Sequence, residues 1–251
     1  MKQWLLAVCL LCALPEGILD VARSFLGVPY VAGTLESPDG KELLVINEDS
    51  VDCTTFVEFS VARWFAQQSD SLPFEQQVEH LRYRGGVVDG YLSRLHYFTD
   101  WVAENTQRGV WHELTPEEGS PLWTTDTLSL SFMSHHPQSY PYLKANGWAV
   151  DSMRHIEERY AHRLYHYINK EHLHLGPDEL PIRDGDIVAL VTTIAGLDVT
   201  HLGFALWRGQ TLHLMHASMR HGKVIIDEQP LYDYLKTRKS CPGVRVVRLN
   251  D

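Results

Sequence analysis

Val51-Asp52-Cys53-Thr54-Thr55-Phe56-Val57-Glu58-Phe59 is the stretch whose reading decides the fold. Ser50 or Asp52 can cap the free N–H groups of a helix start. Phe56, Val57, Val61, Trp64 and Phe65 then fall on one apolar stripe, and the spacing predicts a helix to about Gln68. Cys53 lands in its first turn. There the helix dipole favours negative charge and draws a thiol pKa toward neutrality, which makes Cys53 a candidate nucleophile. A free cysteine is as readily a small buried hydrophobe, so a partner elsewhere in the chain has to decide.

That partner lies downstream, where the texture turns to strands. Residues 187–193, 199–207, 211–217, 223–228 and 243–249 are β-rich runs separated by turn residues. With Arg208 and Gly209 as loop residues, the hairpin sets His201 directly opposite His216, both on one face. His213 has the other parity. A thiolate, an imidazole to hold its proton and a third polar group to orient that imidazole form a cysteine-hydrolase site. Cys53, His201 and His216 supply these three.

Between the helix and the strands the reading is coarser. Residues 18–25 and 74–81 have helical spacing, 43–46 reads as a short strand, and 92–101 and 151–167 read as helices. Residues 106–150 show no clear period. Helices first and an antiparallel sheet afterwards make an α+β fold.

Composition narrows the function classes. The 251 residues carry 44% hydrophobic side chains, seven of them Trp, enough for a core. A formal charge of -10 argues against nucleic acid, whose phosphates are bound by Lys and Arg. Residues 1–13 read as an export signal, with Lys2 as a basic start and an apolar run too short to span a bilayer. The expectation is an exported, periplasmic protein with no stable membrane insertion after signal removal. Lipoprotein anchoring at Cys9 or Cys12 is the weaker option, because neither follows a Gly- or Ala-type lipobox. Only Cys53 and Cys241 would then remain, as two free thiols. His162, His166, His172 and His174 offer no His-Glu-x-x-His spacing, so neither metal nor another cofactor is expected.

Tyr30, the Asp52-Cys53 pair, His201-Leu202-Gly203 and His216-Ala217-Ser218 together resemble the NlpC-type papain-like cysteine peptidases of bacterial cell-wall metabolism. The chain is closer still to a branch first catalogued as a domain of unknown function and described as N-acetylmuramoyl-L-alanine amidase-like. That likeness rests on residues 25–36, 51–58, 82–84, 93–97 with Asp100-Trp101, and 196–201. The resemblance implies a papain-like core in one catalytic domain over 14–251, nucleophile on a helix and base on a sheet, with a long insertion at about 70–180. It implies cleavage of the amide between N-acetylmuramic acid and L-alanine in muropeptides, with Tyr30 donating to the oxyanion. Asp52, Tyr91 and Ser218 are further candidate substrate contacts. Arg82, Arg84 and Arg94 could bind stem-peptide carboxylates, or sit in surface ion pairs. Glu36 and Glu58 read as scaffold partners as easily as substrate groups. The alternatives are a peptidase cutting the stem after D-glutamate and a non-catalytic peptidoglycan-binding module on the same fold.

Overall fold

The computed structural model describes residues 17–36, 41–68 and 71–250, so the export reading of 1–13 lies outside the described residues. Helices α1 (Ile18–Arg23), α2 (Cys53–Ala66) and α3 (Phe74–Arg82) come first. The second begins where expected, with Asp52 as its cap. Asp52 accepts from the Thr55 N–H at 2.8 Å while the Thr55 hydroxyl accepts from the Asp52 N–H at 2.9 Å, a reciprocal box that fixes the first turn. Phe56, Val57, Phe59 and Val61 are buried, whereas Trp64 and Phe65 near its end are only half-buried.

Two expectations fail next. No strand forms at 43–46; the carbonyls there turn inward instead, Val45 accepting from Arg82 Nη1 at 2.6 Å and Leu43 from the Tyr83 hydroxyl at 3.1 Å. The helix expected from Leu92 starts six residues later, as α4 (Phe98–Gln107). Tyr91–Ser93 make a single 3-10 turn; Tyr83 and Arg94 then form an antiparallel bridge and the Leu95 N–H donates to the Arg82 carbonyl, which keeps residues 94–97 out of a helix.

The middle of the chain adds β1 (Trp111–Glu113), β2 (Trp123–Thr127), α5 (Phe132–His135), α6 (Pro141–Ala145), α7 (Gly147–Glu158) and β3 (Leu164–Asn169). The long helix expected over 151–167 is therefore split. It stops at Glu158, the chain turns through His162 at φ 63°, and residues 164–169 pair with β2 instead. Tyr165, Tyr167 and Ile168 suit a pleated surface better than a helix. His166 thus lies on a strand, its Nδ1 2.9 Å from the Thr125 hydroxyl, not one helical turn from His162.

The last third follows the expected strands: β4 (Ile187–Val191), β5 (Val199–Arg208), β6 (Thr211–Ser218), β7 (Lys223–Ile226) and β8 (Gly243–Leu249), with α8 (Leu231–Lys236) before the last. They join one antiparallel sheet in the order β2-β3-β8-β4-β5-β6-β7, with β1 also pairing β8. Side chains alternate between two cores. Ile187, Leu202, Phe204, Leu206 and Met215 pack against Phe56, Val57 and Phe59 of α2. Val188, Leu190, Ala205, Leu212 and Leu214 pack with Leu231 and Leu235 of α8. Tyr91, Tyr97, Leu130, Met133 and Met153 form a third cluster around the middle helices. The fold is α+β, though the first half gives strands as well as helices. Among the described residues no helix is long and apolar enough to cross a membrane.

Candidate active site

The closing pair of the β5–β6 hairpin is Arg208 and Thr211, so Gly209 and Gln210 make the turn. That moves the register by two from the expected one. His216 therefore lies opposite Gly203 and not opposite His201. A shift of two keeps every side chain on its face. His201 reaches diagonally across the pair, and its Nε2 lies 2.6 Å from His216 Nδ1 with the rings edge to face. Gly203 makes this approach possible, because a Cβ there would sit 2.5 Å from the Met215 carbonyl and 2.9 Å from His216 Cβ. His213 faces the other way and is bonded to the Asp227 carbonyl at 2.9 Å.

Behind His216 stands Asp227, which the sequence reading passed over. Its Oδ2 is 3.6 Å from the buried His216 Nε2, close enough for charge and slightly too far for a hydrogen bond. The signal was present: Ile225 faces His216 across β6–β7, so Asp227, two residues on, has the parity of that face.

Cys53 and His201 line one cavity of about 140 Å³ at the end of β5, together with Thr54, Leu95, His96 and Trp101. The thiol does not have the low pKa expected of a helix N-terminus. Burial and the neighbouring Asp52 carboxylate push it up to about 11, against the opposing pull of the Leu202 N–H, the Thr54 hydroxyl and its own N–H. Burial, with the capping carboxylate adding to it, thus outweighs the helix's benefit to the thiolate. Burial, then the His216 neighbour, brings His201 down to about 3; burial likewise brings His216 to about 4, with Asp227 opposing. At neutral pH the resting pair is thiol and neutral imidazole. Alkylation of Cys53 by iodoacetamide, with Cys53→Ala as background, is accordingly expected to keep accelerating above pH 8 as the thiolate fraction grows. A rate already level from pH 5 would show a preformed ion pair.

Tyr30 bridges Val51 just before the helix, and its phenol is held above the ordinary range by burial and by the charges of Cys53 and Asp52. It therefore keeps its proton, and Tyr30 lines neither this cavity nor the next. A second cavity of about 180 Å³ shares Thr54, Leu95 and His96 with the first and is lined also by Glu36, Asp52, Glu58, Arg82 and Arg94.

The arginines are engaged within the protein. Arg82 pairs with Glu58 at 2.8 Å, both side chains fully buried. Arg84 grips Asp100 with two bonds of 3.0 and 2.5 Å, and Asp100 also accepts from the Tyr160 hydroxyl. Arg94 reaches Glu36 at 2.8 Å and Glu42 at 3.2 Å, over the Tyr91 ring. The partners are Glu58, Asp100, Glu36 and Glu42, not the Glu79 or Asp89 nearest in sequence. Arg84 lines neither cavity. Tyr91 is buried and stacked on Tyr142 at 4.3 Å, behind Arg94 and His96. Ser218 is buried and bonded to His221 Nδ1 at 3.0 Å. Cys53 and Cys241 are both free. Among the described residues no cluster of His, Cys, Asp and Glu is arranged to hold a metal.

Comparison with known proteins adds a family. The model of a family described as N-acetylmuramoyl-L-alanine amidase-like matches residues 20–244. A crystal structure of an N-acetylmuramoyl-L-alanine amidase from Bacteroides uniformis superposes with a TM-score of 0.85 at 41% identity, covering 93% of this chain and 97% of that one. A Bacteroides fragilis protein assigned provisionally as a xylanase gives 0.83 at 42% identity, covering 92% and 100%. A Legionella pneumophila protein at 21% identity and TM-score 0.70, covering 93% and 88%, shows the likeness of fold alone. No curated protein matches the chain.

Proposed function

The chain belongs to the N-acetylmuramoyl-L-alanine amidase-like family, and from that premise we propose that it is a cysteine amidase of the NlpC type. Its substrate in this reading is the amide joining the lactyl group of N-acetylmuramic acid to L-alanine in soluble muropeptides. The observation that carries the mechanism is Cys53 and His201 in the wall of one cavity, with His216 and Asp227 in line behind His201.

Asp227 favours a proton on His216 Nε2. His216 Nδ1 then accepts from His201 Nε2–H, and His201 Nδ1 is left as the base for the thiol. Because the thiol is protonated at rest, its proton moves to His201 as the sulfur attacks the lactyl carbonyl. The imidazolium returns that proton to the leaving amine, and His201 then activates water to hydrolyse the thioester. The Cys53 N–H at the head of α2 and the Tyr30 phenol are the donors assigned to the oxyanion. Asp52 acts on the site through the helix cap, and Arg94 borders the second cavity as a substrate contact, whereas Arg82, fully buried against Glu58, supports that cavity from within the fold. One catalytic domain carries the whole site, and the insertion at about 70–180 supplies part of its wall through Leu95, His96, Tyr97, Phe98 and Trp101. A net charge of -10 disfavours adhesion to an anionic wall, which points to small released fragments as substrate.

Mass spectrometry of products from a disaccharide-tetrapeptide muropeptide tests this. The expected result is release of the intact tetrapeptide, unaffected by EDTA. A sugar fragment still bearing L-Ala-D-Glu would make the protein a stem peptidase. Loss of activity with EDTA would overturn the cysteine mechanism.

A further inference from the structure

His96 lies on neither the helix of Cys53 nor the strands of the histidine pair, yet it forms part of the wall between the two cavities beside the thiol. Its Nε2 is 2.9 Å from the Tyr91 carbonyl, an acceptor only, so that nitrogen carries the proton. The ring packs against Tyr91 at a tilt of 38°, with centroids 4.4 Å apart. Nδ1 is thereby the unprotonated nitrogen, and it makes no hydrogen bond among the described residues. Burial and the flanking Arg94 keep the ring neutral, its pKa lowered to about 3.

Leu95, Phe98, Leu197 and Val199 line the same cavity, with Thr54, Asp198 and Thr200. A ring nitrogen left free to accept in such a wall is the complement of a ligand N–H, as a secondary amide offers.

We propose that His96 is a positioning residue for substrate, its Nδ1 accepting the N–H of a secondary amide beside the scissile bond. This rests on the amidase reading above. It gives the site a reason to prefer a peptide-bearing or N-acetylated fragment over a plain ester or sugar, whatever the order of cleavage.

Two variants separate this role from a structural one, because asparagine and glutamine imitate different nitrogens of histidine. His96→Asn keeps an acceptor at the δ position and loses the bond to the Tyr91 carbonyl. His96→Gln keeps a donor for that carbonyl and loses the δ acceptor. With the disaccharide-tetrapeptide as substrate, His96→Gln is expected to raise KM about tenfold with little change in kcat, and His96→Asn to stay near the wild-type KM. Thermal midpoints of both variants report the structural bond independently, and His96→Asn should show the larger drop. If His96→Gln keeps the wild-type KM, or if both variants raise KM alike, the inference is overturned while the amidase reading stands. A wild-type protein that releases no peptide overturns the amidase reading and the inference with it.

Discussion

Replacing Cys53 by alanine is expected to lower muropeptide turnover by at least about 10³-fold while leaving the affinity for the muropeptide within about threefold of wild type. The substitution removes the attacking sulfur and little else, since the α2 start is held by the Asp52–Thr55 box and not by the thiol. His201→Ala should lose nearly as much, because a thiol raised to about 11 has too small a thiolate fraction at neutral pH to act without a base. The two losses should not add. Groups that act as one unit fail together, so the double variant is expected to be no worse than either single one. Residual turnover above about 1% of wild type in Cys53→Ala would place the chemistry elsewhere. Retained affinity in that variant is what separates an inactive enzyme from a damaged fold.

The second large effect is on stability. Glu58 and Arg82 are fully buried, and among the described residues the guanidinium bonds besides Glu58 only the Val45 carbonyl, leaving Nη2 without a partner there. Burial holds the Glu58 carboxyl above its usual range even with Arg82 beside it, so desolvation outweighs the attraction. Such a pair contributes little when intact and costs much when broken. Glu58→Ala strands a buried cation and is expected to cost about 3–5 kcal/mol. For a chain of this size that lowers the thermal midpoint by roughly 6–20 °C. Replacing both partners together by Leu and Met should recover most of the loss, because no charge is then left unpaired. A double variant as unstable as Glu58→Ala would show that the pair's geometry, not the orphaned charge, holds the 43–46 segment in place. Differential scanning calorimetry on the three proteins decides it.

By itself the sequence determined the parts whose signals are local. Ser50 or Asp52 marks a helix start, Phe56, Val57 and Val61 state its buried face, and the β-rich runs from Ile187 onward state the sheet; the structure makes Asp52 the cap. Parity along a hairpin chose His216 over His213 even with the turn misplaced by one residue, since the error moved the register by two. What the tertiary structure alone decided is long-range. Residues 164–169 became a strand because β2 and β8 offered edges, overriding a helical pattern that no local clash forbade. Residues 43–46 were taken out of any sheet by bonds to Arg82 and Tyr83, some 40 residues away. The pKa of Cys53 followed the same rule: the helix dipole is written in the sequence, but burial is a property of the assembled cavity, and it outweighs the dipole.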